Sequence, residues 1–388
     1  MTANWTHQTI WTGDNLYIMR GMNAASVDLI YLDPPFNSKA NYAAPIGSKA
    51  AGAAFKDTWT LSDVDAEWVN LMEAKHPALH RVLLAAMTNS DKSYLAYMAV
   101  RLLEMRRILK PTGSIYLHCD PTMSHYLKLL MDAIWGRQQF CNEFIWYYSG
   151  GGAAKKRWAR KHDVVLFYAN GATWTFNADD VRVPHKWQSG QLRADGSERN
   201  YEQGKLADDV WQHHSLMPWA RERMGYPTQK PLALLDRIIS ASSNEGDMII
   251  DPFCGCATAC ISAERLQRQW VGIDISPKAA ELVRTRMQDE LGLFYQGAHR
   301  DDIPRRTDLG KIPRYNSPAN RTTLYGQQEG NCAGCGVHFE ARHLEVDHII
   351  SRGKGGTDHI GNLQLLCGSC NRIKGDRGME YLRVKLQL

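Results

Sequence analysis

The chain has 388 residues and a formal charge of +5, enough length for two or three domains. Its start, MTANWTHQTI, lacks a basic stretch leading into an apolar core, and no run of about 18 apolar residues follows, so neither secretion nor membrane spanning is expected and the cytoplasm is. Of nine cysteines, five are scattered before residue 300 and four form two tight pairs near the end, a pattern of a metal site in a reducing compartment rather than a disulfide framework.

Taken in chain order, VDLIYLD (27–33) reads as a buried strand, and residues 36–60, rich in Ala, Gly and Lys, as a mobile loop. Leu95, Met98, Leu102, Met105 and Leu109 recur at helical spacing up to a stop at KPTG. SIYLHCD (114–120) predicts a strand, HYLKLLMDAIW (125–135) a helix, and EFIWYYS (143–149) and DVVLFYA (163–169) two further strands. Residues 171–215 are polar and irregular. A helix opened by Pro231, the strand DMIID, the helix TACISAERLQR and the strand WVGIDI complete the first domain. This alternation predicts an α/β fold, a doubly wound and mainly parallel sheet, over residues 1–291. Residues 292–325 read as a linker and 326–388 as a small cysteine-rich domain.

The segment from Arg300 onward carries 14 basic against 10 acidic residues, which suits a polyanionic partner such as nucleic acid. In DMIIDPFCGCATAC (247–260) a strand runs into a small-residue turn and a helix, so the backbone of the turn can approach a ligand; Asp274, 23 residues after Asp251, ends the next strand where a ribose hydroxyl could bind. In DLIYLDPPF, Asp33 ends a strand where open α/β sheets bind ligands, and Pro34 and Pro35 stiffen the following backbone. The Asp33 carboxylate and the Pro34 carbonyl can accept both hydrogens of an exocyclic amino group, and Phe36 offers a flat face to a heterocycle such as a base flipped from DNA.

These motifs, with GDNL (13–16) and YPTQKP (226–231), resemble the DNA amino-methyltransferases that use S-adenosylmethionine, in the motif order of their β class, over roughly residues 9–290. The resemblance implies that Asp33, Pro34, Pro35 and Phe36 form the catalytic motif. It implies that Asp251, Phe253 and Gly255 form the cofactor turn and Asp274 the ribose-binding acid. Asp14 is implied at the cofactor adenine, and Thr228 and Lys230 near its methionine end. Adenine N6 is favoured over cytosine N4, because the N4 members more often carry Ser in place of Asp33. The chain departs from the pattern at Ala257, where the family has glycine and a Cβ disfavours φ > 0. The loop GGGAAKKRWARKHD offers Lys155, Lys156, Arg157, Arg160 and Lys161 to DNA phosphates, and residues 171–215, with Lys186, occupy the place of a target-recognition region. Double-stranded DNA is the implied partner, and a homodimer is compatible with the family.

Cys332, Cys335, Cys367 and Cys370 form C-x₂-C twice, 31 residues apart, a structural zinc pattern. LEVDHIISRGKGGTDHIGNLQLLCGSCNRIKGD beside it resembles the HNH nucleases, whose ββα-metal fold is then expected over 328–378. The resemblance implies His348 as general base, Asp347 and Asn371 as holders of a divalent cation such as magnesium, and Asn362 as the residue orienting the His348 loop. Asn371 stands where the family more often has its third histidine. The expected whole is a bacterial or phage-encoded DNA adenine methyltransferase with a fused nuclease-like domain. A cytosine-N4 enzyme, and a DNA-binding HNH protein with a vestigial methyltransferase core, remain as alternatives.

Overall fold

The computed structural model describes residues 2–38, 40–44, 48–51, 54–57, 76–148, 154–185, 194, 197, 202–212, 216, 217 and 219–386. In chain order the elements are β1 (Thr9–Thr12), α1 (Asn15–Gly21), β2 (Val27–Leu32), β3 (Ala40–Ala43), β4 (Ala54–Asp57), α2 (Pro77–Leu84), α3 (Asn89–Ile108) and β5 (Leu109–Cys119). Then come α4 (Ser124–Trp135), β6 (Phe140–Tyr147), β7 (His162–Ala169), β8 (Val210–Gln212), α5 (Leu232–Ser242), β9 (Met248–Asp251), α6 (Thr258–Arg265), β10 (Gln269–Asp274), α7 (Pro277–Leu291) and β11 (Ala298–Arg300). The C-terminal part holds α8 (Pro318–Gln327), β12 (Leu344–His348), β13 (Leu363–Cys367), α9 (Gly368–Lys374) and α10 (Met379–Leu386).

Among the described residues one sheet has the order β11-β1-β10-β9-β2-β5-β7-β6-β8. It is parallel from β11 to β5, whereas β7 pairs antiparallel with both β5 and β6. Alternation along β2 explains how helices cover both faces. Ile30 and Leu32 pack with Leu95, Leu102 and Leu127 of α3 and α4; Leu29 and Tyr31 pack with Ile238, Ile261 and Val283 of α5, α6 and α7. Helix α3 starts where Thr88 Oγ1 accepts from Asp91 N at 3.1 Å. Pro111 stands inside β5 rather than before it. The register with β2 shifts between Val27↔Leu109 and Leu29↔Ser114, and this irregularity accommodates a residue that cannot donate to the ladder.

Three expectations change. Residues 36–60 contain the antiparallel pair β3 and β4, and buried Asp57 of β4 accepts from Asn37 N at 2.6 Å and Ser38 N at 2.9 Å, fixing the chain after Phe36. Within 171–215, β8 joins the sheet beside β6, and Val183 bridges Lys205; Lys186 lies outside the described residues. Within 292–325, β11 extends the main sheet and α8 packs into the C-terminal core through Leu324. Between them the chain is strapped to the first domain: Asn4 Nδ2 donates to Arg305 O at 2.7 Å, Asn23 Nδ2 to Thr307 Oγ1 at 2.8 Å and Ala24 N to Asp308 Oδ2 at 2.8 Å.

The C-terminal domain is the antiparallel pair β12 and β13 covered by α8, α9 and α10 around Leu344, Leu365, Leu366 and Leu382. It rests on α1, with Arg20 Nη1 donating to Lys354 O at 3.3 Å. No described helix is long and apolar enough to cross a membrane.

Candidate active sites

Parallel strands β9, β10 and β2 end along one rim, and their last residues build the first site. Asp251 Oδ1 accepts from Phe253 N at 3.0 Å, and Asp274 accepts from Gly255 N at 2.9 Å and Ser276 N at 2.8 Å, so two acids clamp the turn to the sheet. Burial pushes both carboxyls above their ordinary range, that of Asp251 strongly. Gly255 has φ +49, and a Cβ there would lie 2.8 Å from the Tyr226 ring. Ala257 adopts φ 57 and ψ 44 as the residue capping α6. The left-handed turn therefore survives the departure from glycine, at a cost of about 1–2 kcal/mol. Asp14 caps α1 through Leu16 N at 2.9 Å and accepts from Arg101 Nη2 at 2.8 Å, and Asn15 Nδ2 bonds Pro252 O at 2.6 Å, joining α1 to the turn.

A cavity of about 530 Å³ runs from Asp14, Phe253 and Asp274 past Tyr226 to Asp33, a size suited to a cofactor-like molecule. At its far end Asp33 Oδ2 accepts from Lys230 Nζ at 2.5 Å, while Oδ1 is buried with no partner among the described residues. Lys230 thus reaches the Asp33 carboxylate as well as the cavity. Thr228, two residues before it, has φ 60, a left-handed conformation costly for a β-branched residue. Pro34, Pro35 and Phe36 line the same cavity. The Phe36 ring stacks on His118 with centroids 5.9 Å apart and planes at 21°. Sequence reasoning missed Asp57, His118 and the pairing of Lys230 with Asp33; the last joins residues 197 apart, and no local pattern reports it.

The loop between β6 and β7 emerges at this same rim, because β7 begins opposite the end of β5 (Cys119↔Val164). Lys155, Lys156, Arg157 and Arg160 are exposed there, Lys161 is half-buried, and Trp158 is 95% exposed. Cys119 is buried and Cys141 half-buried.

In the C-terminal domain the ligand atoms of Cys332, Cys335, Cys367 and Cys370 lie within 4.8 Å of one another. Cys332 Sγ also accepts from Gly334 N at 3.4 Å and Cys367 N at 3.2 Å, bonds that favour thiolates. Four converging sulfurs fit one tetrahedral zinc ion, which would tie the knuckle at 332–335 to α9. His348 Nε2 meets Asp358 Oδ1 at 2.9 Å, and Arg352 bonds the same carboxylate. Asn362 Oδ1 accepts from Ile350 N at 2.9 Å and its Nδ2 donates to Thr357 O at 2.9 Å, so it braces the loop after His348. Asp347 and Asn371 are each engaged elsewhere. Asp347 Oδ2 faces the buried Lys374 ammonium at 3.1 Å and Gln364 Nε2 at 2.9 Å; Asn371 Nδ2 donates to Glu345 at 2.6 Å.

Residues 27–285 match a family described as DNA methylase, and residues 332–377 one described as HNH endonuclease. The type II methyltransferase M.HpaI of Haemophilus parainfluenzae is 30% identical over 278 residues, covering 71% of this chain and 73% of its own. The DNA adenine methyltransferase YhdJ of Escherichia coli strain K12 is 28% identical over 285 residues, covering 72% and 82%. A DNA modification methylase of Thermus thermophilus, solved with S-adenosyl-L-methionine, covers 76% of this chain and 98% of its own at 17% identity and a TM-score of 0.45.

Proposed function

Because the chain belongs to the DNA methylase family across residues 27–285 and carries an HNH domain at 332–377, we propose that it moves a methyl group from S-adenosylmethionine to the exocyclic amino nitrogen of a base flipped from double-stranded DNA, adenine N6 ahead of cytosine N4. The observation that carries this reading is Asp33 Oδ1, a buried acceptor at the cavity without a partner among the described residues, to which an amino group of a ligand can donate.

S-adenosylmethionine supplies an electrophilic methyl group on a sulfonium. The protein's part is to hold the nucleophile. Asp33 Oδ1 and the Pro34 carbonyl would take the two N–H groups, turning the nitrogen lone pair out of conjugation and toward the methyl carbon. Phe36 would stack on the ring. Transfer would form the nitrogen–carbon bond as the donor's carbon–sulfur bond breaks to leave a neutral thioether, and the Asp33 carboxylate already bonded to the amine would accept its surplus proton. Positioning and electrostatics supply the rate, with no covalent attachment to the enzyme. Asp274 and Asp14 would bind the donor's ribose and adenine. The cations at 155–161, with Lys186, would contact phosphates.

For the C-terminal domain we propose scission of DNA phosphodiesters, with His348 as base. Asp358 occupies Nε2, which leaves Nδ1 to take a proton from water.

Calorimetry with S-adenosylmethionine, followed by methyl transfer to DNA from a methylation-deficient bacterium, tests the first activity. The wild type should bind one equivalent and transfer. Asp33→Ala should bind and not transfer, and Asp274→Ala should lose binding. Undiminished transfer by Asp33→Ala contradicts the reading. Nicking of supercoiled plasmid, lost in His348→Ala, tests the second activity.

A further inference from the structure

His118, at the end of β5, is fully buried, yet it is polar and an apolar side chain could fill the same space. Both ring nitrogens have partners: Nδ1 lies 2.9 Å from Tyr31 Oη and Nε2 3.2 Å from Asp163 Oδ2. An ionised carboxylate only accepts, so Nε2 carries a hydrogen and the ring cannot turn without breaking that bond. Trp146 stands edge-on to the ring, with centroids 5.6 Å apart.

Phe36 stacks on the same ring. Its backbone is already fixed, by Pro34 and Pro35 before it and by the bond from Asn37 N to Asp57 after it. Rotation of the aromatic ring is the freedom left, and the stacked His118 ring restricts it, with Lys230 Nζ 5.2 Å from the Phe36 ring centroid as a second contact. Asp163 also accepts from Tyr148 Oη at 3.2 Å, and Tyr148 is where β6 gives way to the loop bearing Lys155 to Lys161. One carboxylate therefore fastens the histidine behind the stacking ring to the base of the cationic loop.

We propose that His118 is a positioning residue for methyl transfer, holding Phe36 at the angle on which the flipped base stacks and linking that ring through Asp163 to the DNA-facing loop. The proposal rests on the amino-methyltransferase reading above. It gives the buried His118–Asp163 pair a task, and it makes loop contact and base placement parts of one hydrogen-bonded unit. A displacement of the base by about 1 Å is worth on the order of 100-fold in rate, so a ring held at a set angle matters to turnover.

The test is a double-mutant cycle on the full-length chain, with cofactor binding as the control for folding. His118→Asn should lower kcat at least tenfold while S-adenosylmethionine affinity changes less than twofold. In a Phe36→Leu background the same change should cost less than twofold, since its effect runs through the ring. A tenfold loss that persists in the Phe36→Leu background, or an unchanged kcat in the single variant, overturns the proposal. If His118→Asn fails to bind cofactor, the less buried Asp163 carries the test. Asp163→Asn, which can still accept from Nε2, should keep kcat within threefold, and Asp163→Ala should lose tenfold; equal losses overturn it. A wild type that transfers no methyl group at all defeats the underlying reading and this inference with it.

Discussion

Lys230 Nζ sits 2.5 Å from Asp33 Oδ2, and the other oxygen of that carboxylate is buried without a partner among the described residues. The two oxygens therefore have separate tasks: one is neutralised by a nearly buried ammonium, the other waits for a donor. Lys230 also offsets the neighbouring negative charge of Asp251. Replacing it with methionine leaves a charge uncompensated in a low-dielectric site. We expect Lys230→Met to cost about 3–5 kcal/mol of stability and at least 30-fold in kcat, with Lys230→Arg intermediate. Denaturant unfolding and single-turnover methyl transfer check the two parts.

Gly255 tests the turn. Its positive φ and the Tyr226 ring leave no room for a methyl group. Gly255→Ala should weaken S-adenosylmethionine binding at least tenfold by calorimetry, because Tyr226 must move across the cavity it lines. Unchanged affinity would place the donor elsewhere.

The strap between the domains has a pH signature. The Arg306 guanidinium, with Ala24 N, holds the Asp308 carboxyl down to about 2 against the opposing effect of burial. Its folded pKa is lower than its unfolded one, so the stability it contributes is full above about pH 4 and disappears as pH falls through about 2. Asp308→Asn should cost about 1–2 kcal/mol at pH 7, allowing for screening. The gap to wild type should narrow steadily below pH 4. A pH-independent gap would assign the loss to packing.

Zinc is expected at one ion per chain by atomic emission. Cys370→Ser, or a strong chelator, should unfold the C-terminal domain while S-adenosylmethionine binding to the first domain persists. Retained melting of the C-terminal domain without metal would contradict a structural ion.

What the sequence disclosed follows from how local each signal is. The strand ending at Asp33, the turn at Gly255 and the paired cysteines are patterns of a few residues, and each lies in the expected place. Strand β5 starts five residues before the SIYLHCD pattern, because Pro111 reads as a stop and only the pairing with β2 reveals the irregularity that absorbs it. The clamp of Asp57 on Asn37 was hidden in a stretch whose composition suggests a loop. Ala257 looked unfavourable for the turn because the tertiary contacts that hold it left-handed are invisible in one dimension. The sequence neighbours of Lys230 point to the cofactor, and its bond to Asp33 emerges only when β2 and the start of α5 meet at the rim. The pairing of Asp347 Oδ2 with Lys374 Nζ, 3.1 Å apart and 27 residues away in sequence, is another contact that no local pattern reports.

The most direct test of the central claim is a modified-base map of DNA from a methylation-deficient bacterium expressing the chain with His348→Ala to limit cleavage. N6-methyladenine at one short motif, erased by adding Asp33→Ala, is the predicted result. N4-methylcytosine at such a motif would keep the chemistry and correct the base. Folded protein with no modified base anywhere would contradict the account.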